Sequence, residues 1–326
     1  MTGRLTPGDE DRARTARLRR LAEELADNGL PAAADPSGAA LLIEEVDTAL
    51  RPPVHERRAP STGTIVNPSS DPDSWPTLTE LDIVRAPVGR MLADYRRFAD
   101  GLSSWLLRRS SGDDELLMFD RPAGSERDLV ILAAAFDATV VQRHPSGSVR
   151  VAGDFGVLRT QGLDWHFEPP VDAWLDAVIA GGAGGDVAVL RALLEFAVHD
   201  LGAQGIGALL IYRPVEAPAP PVEERLPTPP VLQVCTAFHL SPLRHALAQV
   251  DGAAVFDAHG VLRRLGVRVV PSKGAEDNVD AMGGTRHTAA VRYSYDDPDA
   301  VVIAVSEDGP VTVLANGAVL GQSAPA

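Results

Sequence analysis

Asp251-Gly252-Ala253 and Gly283-Gly284-Thr285-Arg286-His287 are the residue runs of this 326-residue chain best suited to chemistry. Ala253, Ala254, Val255 and Phe256 read as a short buried strand, so Asp251 is held by a rigid element rather than a long loop. The glycines before Thr285 lead into an Ala-rich segment that reads as a helix start. Free backbone N–H groups, a hydroxyl, a guanidinium and an imidazole then converge, which suits a polyphosphate. A carboxylate facing such a cluster is a natural holder of a divalent metal or of an activated hydroxyl. A third run, Val301-Val302-Ile303-Ala304-Val305-Ser306-Glu307, is a buried-type strand with a polar exit. Taken singly, each has an ordinary explanation: Asp-Gly is a common turn pair, Arg286-His287 a solvated helix start, Ser306-Glu307-Asp308-Gly309 a strand-to-turn exit. Together, in one domain pattern, they read as a site.

In order and spacing these three runs resemble the signature segments of the diadenylate cyclase (DAC) domain, which joins two ATP molecules into cyclic di-AMP. The resemblance implies that each subunit of a face-to-face pair holds one ATP, so self-association accompanies catalysis. Each 3′-hydroxyl attacks the α-phosphate of the other nucleotide and two pyrophosphates leave. It also implies roles. Asp251 binds the metal, Mg²⁺ or Mn²⁺, or polarises the attacking hydroxyl; Arg286 and His287 act with it in catalysis. Gly252, Ala253, Gly284, Thr285, Arg286, His287, Thr288 and Ser306 contact ATP, Glu307 assists the metal, and Val269 meets the adenine. The family usually carries Arg-His-Arg where this chain has Arg286-His287-Thr288. Thr cannot replace a bidentate cation; if that Arg touches phosphate, its loss costs ~1.5–3 kcal/mol. Arg292 and Lys273 are the nearby candidates to compensate. Two readings follow: an active cyclase, or a catalytically weak or inactive nucleotide-binding sensor.

Composition sets limits. A net charge of −15 argues against general binding to nucleic acid or anionic membranes, so a nucleotide site here must be locally basic or metal-compensated. The single cysteine, Cys235, excludes an intrachain disulfide and reads as a small buried residue of an apolar run. No run of 18 apolar residues exists, and the first ten residues show no apolar signal core. A cytoplasmic protein is expected. No helix-hairpin-helix segment is read after the cyclase-like part, so no role on DNA is expected.

The expected architecture is α/β: a C-terminal mixed sheet flanked by helices over 187–322, preceded by a smaller α+β domain over 77–180 whose ligand is unknown. Residues 1–76 read as a charged helix at 11–28, with Leu18, Leu21 and Leu25 on one stripe, then a Pro-rich linker from 51. The small domain is expected to contain a helix over Val88–Arg108, a helix near Asp128–Phe136 and a hairpin of 139–143 with 148–152. His144 and His166 read as surface turn residues. The glycine run 181–185 lacks the Gly-Lys-Ser/Thr ending of a phosphate loop and reads as an interdomain hinge, with Asp186 capping the next helix. The cyclase-like part reads as helix 187–201, strand 207–212, an exposed insert over 214–230 and strand 231–235. Then come helix 241–249 capped by Ser241, strands 253–256 and 261–270, loop 271–282, helix 285–293, strand 300–305, and a hairpin turned at Asn316-Gly317.

Overall fold

A computed structural model of the chain describes residues 7–323 apart from 32–34, 55, 57–58, 90–91, 163, 183, 216–219 and 309. The chain divides into two compact units, Met1–Glu168 and Pro169–Ala326.

In the first unit, α1 (Pro7–Asp27) and α2 (Pro36–Leu50) bury Leu21 and Leu25 against Leu41, Leu42 and Val46. Asp35 caps α2 by accepting from the backbone N–H of Ser37 and Gly38. Among the arginines of α1, Arg17 pairs with Asp47 and Arg14 with Glu44, in keeping with a solvated, charged face. Next come β1 (Thr62–Val66), α3 (Trp75–Thr79), β2 (Ile83–Pro87), α4 (Leu92–Tyr95), β3 (Ser104–Arg108), β4 (Glu115–Phe119) and α5 (Glu126–Phe136). Strands β5 (Thr139–Arg143), β6 (Val149–Gly153), β7 (Gly156–Gln161) and β8 (Asp164–Glu168) complete an eight-stranded sheet in the order β2-β4-β3-β1-β5-β6-β7-β8. Neighbouring residues face opposite sides: Val141 packs with α1 and α2, Val140 with α3 and α5.

Three expectations fail here. The segment 51–76 is not a linker, because β1 lies in the middle of the sheet between β3 and β5. Thr-Gly-Thr-Ile-Val is short and β-branched. Its glycine is needed there, since a Cβ on Gly63 would come within 2.4 Å of the Gly101 Cα and 2.5 Å of the Trp105 ring. Residues 1–76 and 77–168 therefore form one unit. Nor is 88–108 one helix: among its described residues only α4 and a 3₁₀ turn at Arg96–Phe98 are helical, and Ser104–Arg108 is strand. Asp100 causes the switch, because its Oδ1 accepts from the N–H groups of Leu102, Ser103 and Ser104 at 2.7–2.9 Å, with Gly101 in the left-handed region. Residues 90–91, within that expected helix, lie outside the described residues. His144 occupies a turn as expected, but His166 is only 4% exposed and its Nε2 lies 2.9 Å from Glu168.

In the second unit, α6 (Val171–Ala180) and α7 (Val187–Glu195, continued as a π-turn to Leu201) are followed by β9 (Ala208–Tyr212), β10 (Val222–Glu223), α8 (Ala237–Leu247), β11 (Ala253–Phe256) and β12 (Leu262–Val269). Then come α9 (Lys273–Asn278), α10 (Thr285–Asp296), β13 (Val301–Val305), β14 (Val311–Ala315) and β15 (Ala318–Gln322). The sheet runs β10-β12-β11-β9-β13-β14-β15; β9 and β11 are parallel and the other pairs antiparallel. Helices α6, α7 and α8 cover one face and α10 the other. This is the mixed, helix-flanked sheet expected from the sequence. Asn316 and Gly317 both take positive φ at the β14–β15 turn.

Local departures have local causes. The glycine run 181–185 lies inside the second unit rather than between units, where a Cβ on Gly185 would meet the Tyr212 hydroxyl at 2.6 Å. Asp186 caps α7 as expected. Residues 231–235 make one bridge, Gln233 with Val261, instead of a strand, and Cys235 is exposed. Helix α8 starts at Ala237, which leaves Ser241 and Pro242 inside it. The carbonyl that Pro242 leaves without a donor belongs to Phe238, a residue exposed to water. The loop 271–282 contains α9, capped by Ser272 on the Ala275 N–H.

Candidate nucleotide site

Parallel β9 and β11 begin at the same end of the sheet, and β12 and β13, running the other way, finish there. Helix α10 starts at this end too. Between these termini lies a cleft of about 710 Å³. Gly252, Ala253, Val269, Gly284, Thr285, Arg286, His287, Ser306 and Glu307 all line it, joined by Arg225 and Arg268. Nine of the eleven residues expected at the site are thus brought together from segments far apart in sequence.

Each is placed by its own backbone. Gly252 has φ +110°, and a Cβ there would lie 2.7–2.9 Å from backbone atoms of Gly266 and Val267. Only glycine lets the chain pass so close to β12 as it enters β11. Gly284, φ +90°, is the N-cap of α10, and no side chain caps it. The first N–H groups of a 12-residue helix therefore face the cleft, where they favour negative charge. Arg286 donates from Nη1 to the Val305 carbonyl at 3.3 Å, and its Nη2 lies 3.7 Å from Glu307. Glu307 is 78% exposed, so the pair is loose and the guanidinium can turn to an anion. Gly207 makes the room: a Cβ there would sit 2.4 Å from Arg286 Nη1.

Burial first, and the neighbouring Arg286 second, lower the pKa of His287 below the usual histidine value. The folded chain therefore binds fewer protons at His287 than the unfolded one, and acidification below that usual value destabilises it. An anion beside the ring pushes the pKa back up, so anion binding should take up a proton near and below neutrality. Calorimetry of ATP binding in buffers of different ionisation enthalpy should show this uptake. His287→Gln should abolish it, and buffer-independent heats in the parent would show that His287 does not meet the phosphates.

Two expected residues do not line the cleft. Asp251 immediately precedes Gly252 but stands exposed, and no hydrogen bond or ion pair holds its carboxylate among the described residues. Thr288 is turned to its own loop, with Oγ1 2.8 Å from the Met282 carbonyl and 3.0 Å from that of Gly284. It stitches the glycine loop to α10 instead of facing the ligand. Thr288→Ala should cost about 1 kcal/mol, one net hydrogen bond, and weaken nucleotide binding by loosening 282–284. Unchanged denaturant midpoint and affinity would show that this stitch is idle. Neither Lys273 nor Arg292 compensates: Arg292 Nε points at the Val279 carbonyl, 3.4 Å away, and neither residue lines the cleft. The additional cations are Arg225, from the insert after β9, and Arg268, on β12. The sequence reading missed both. Arg268 is the neighbour of Val269 on a strand and could have been found by asking what flanks the apolar residue; Arg225 has no sequence signal, because only folding returns the insert to the cleft.

No group of three or more His, Cys, Asp or Glu suited to a metal occurs among the described residues. The donors at hand, exposed Glu307 and Asp308 in the cleft and Asp251 next to its wall, fit a cation delivered with a polyphosphate. Mg²⁺ commonly binds in this way, through one or two carboxylates plus substrate oxygens.

Residues 195–319 match the family model described as DisA bacterial checkpoint controller nucleotide-binding, the DAC domain. Residues 19–168 match the one described as Probable sensor domain DACNK. The two matches together give a DACNK-type sensor domain followed by a DAC nucleotide-binding domain, the arrangement of a DAC-family protein with an N-terminal sensor domain. The sensor match begins within α1 and includes β1, in agreement with residues 1–168 forming one unit. No curated protein matches the chain. Among solved structures it is similar to a hypothetical membrane spanning protein from Bacillus cereus, at 20% identity over 42% of this chain and 72% of that one, with a TM-score of 0.32. No described helix of this chain is long and apolar enough to cross a membrane.

Proposed function

We propose that the protein is a diadenylate cyclase that condenses two ATP into cyclic di-AMP and two pyrophosphates. The observation that carries this reading is the single cleft in which the open N-terminus of α10, Arg286, His287 and Ser306 face Gly252, Ala253 and Val269. Its volume, about 710 Å³, suits one nucleotide. A product with two linked nucleotides then calls for two clefts face to face, each in its own subunit. The α-phosphates stay with the 3′-oxygens that attack them, the bonds to the β-phosphates break, and the hydroxyl protons leave toward Asp251 or solvent. Chemistry of this kind asks mainly for alignment and charge neutralisation. Arg286 and the α10 N–H groups would take the charge that develops on the phosphates. A divalent cation, Mg²⁺ or Mn²⁺, would be held by Glu307 or Asp251 and would supply further neutralisation. Dependence on ATP accords with a cytoplasmic location, and the net charge of −15 accords with no role on DNA or at anionic membranes.

The test is incubation of the purified chain with ATP and Mg²⁺ or Mn²⁺, with products identified by mass. Cyclic di-AMP and pyrophosphate are expected; ATP recovered unchanged across metals and protein concentrations overturns the reading. A second reading, a nucleotide-binding sensor without turnover, is favoured by one observation. Thr288 stands where the family usually has arginine, and its hydroxyl is engaged with its own loop. Tight ATP or cyclic di-AMP binding by calorimetry, without product, would select it.

A further inference from the structure

Arg225 comes from the insert between β9 and α8, yet it lines the same cleft as Arg286. The insert is anchored where it matters. Val222 and Glu223 pair with Val269 and Arg268 as the edge strand β10, and Glu224 holds Arg264 at 2.9 Å. Leu226 packs against Gly266, where a Cβ would come within 3.0 Å of its side chain. Arg225 lies between these anchored residues, so its backbone has little freedom.

The cations of the cleft therefore fall into two groups. Arg286 and His287 belong to the β13–α10 side, with the open helix terminus. Arg225 and Arg268 belong to the β10–β12 side, beside Val267 and Val269. From β12 to β13 there are three strand spacings, about 14 Å. That is roughly the reach of a nucleotide from base to triphosphate. The two sides differ in what accompanies the cations. The open N-terminus of α10 lies with Arg286 and His287, whereas the β10–β12 side brings two guanidinium planes and the apolar Val267 and Val269. Glu223 lies 3.5 Å from Arg268, and Glu224 is next to Arg225 in the chain. A guanidinium beside a carboxylate keeps its flat face free to stack on an aromatic ring.

Resting on the nucleotide reading above, we infer that Arg225 and Arg268 form a clamp for the purine base. The insert supplies Arg225 to cover the base against Val269, and the pair leaves the polyphosphate to Arg286, His287 and α10. Arginine stacking on bases is a recurrent mode of recognition.

The test compares ATP with inorganic tripolyphosphate as ligands of the full chain by titration calorimetry. Arg225 and Arg268 are exposed, so replacing them leaves the core intact. Arg225→Ala/Arg268→Ala should weaken ATP binding about tenfold, the sum of two modest exposed contacts, and leave tripolyphosphate binding unchanged. Arg286→Ala should weaken both. Unchanged ATP affinity in the double variant, or equal losses for the two ligands, overturns the base clamp. A parent chain that binds ATP with this selectivity but forms no cyclic product overturns only the cyclase reading. One that binds no ATP overturns both.

Discussion

Replacing Asp251 by asparagine should reduce cyclic di-AMP formation by about 10²–10⁴-fold, the usual contribution of a positioned proton acceptor, while ATP still binds. Asparagine keeps the shape of the side chain and removes its charge and basicity. The change should leave the fold alone, because Asp251 is exposed and nothing described in the structure holds its carboxylate. It adjoins Gly252, which lines the cleft, and on the proposed reading it meets the attacking hydroxyl once nucleotide is bound. Single-turnover rates with ATP saturating, beside equilibrium binding, separate the two effects. Turnover close to that of the parent would assign the hydroxyl proton to another acceptor. Loss of ATP affinity in proportion to the rate would make Asp251 a binding residue instead.

Gly252→Ala should destabilise the second unit by about 2–5 kcal/mol. About 1–2 kcal/mol comes from holding an L-residue with a side chain in the left-handed region, and about 1–3 kcal/mol from overpacking. The new Cβ would lie 2.7 Å from the Gly266 carbonyl carbon and 2.8 Å from the Val267 oxygen. Both are backbone atoms of β12 and cannot swing aside as a flexible side chain does. Gly284→Ala is the control. Its φ is also positive, but nothing lies within 4 Å of the added Cβ, so only the conformational part applies. Because the chain has two units, denaturant melts should be followed by a probe in the second one rather than fitted as a single transition. Equal midpoints for the two variants would show that the approach of 252 to 266–267 is not tight in solution.

The candidate site was largely legible because its residues sit on short segments whose local signals are strong. Gly284 before an Ala-rich run, Asp-Gly before a buried strand, and a β-branched run ending in Ser-Glu each announce an element terminus. The elements that misled do so for equally local reasons. Asp100 takes three backbone N–H groups and cuts an apparently continuous helix into a turn and a strand. Thr62–Val66 is five residues long and embedded in turn-forming composition, so its neighbours outweigh it until β3 and β5 close around it. The burial of His166 has no sequence signal either, because it depends on Glu168 and Arg159 gathering on one face of β7 and β8.

The sequence by itself determined the mixed, helix-flanked sheet of the second unit and most of the residues that line its cleft, because glycine conformation, β-branched runs and helix starts are read over a few neighbours. Only the tertiary structure decided where side chains point and what returns to the cleft. It turns Thr288 toward its own loop, places Gly207 under Arg286, and brings Arg225 from the insert beside Arg268. Those outcomes depend on strand order and on the distance between elements remote in the chain, which no local pattern encodes.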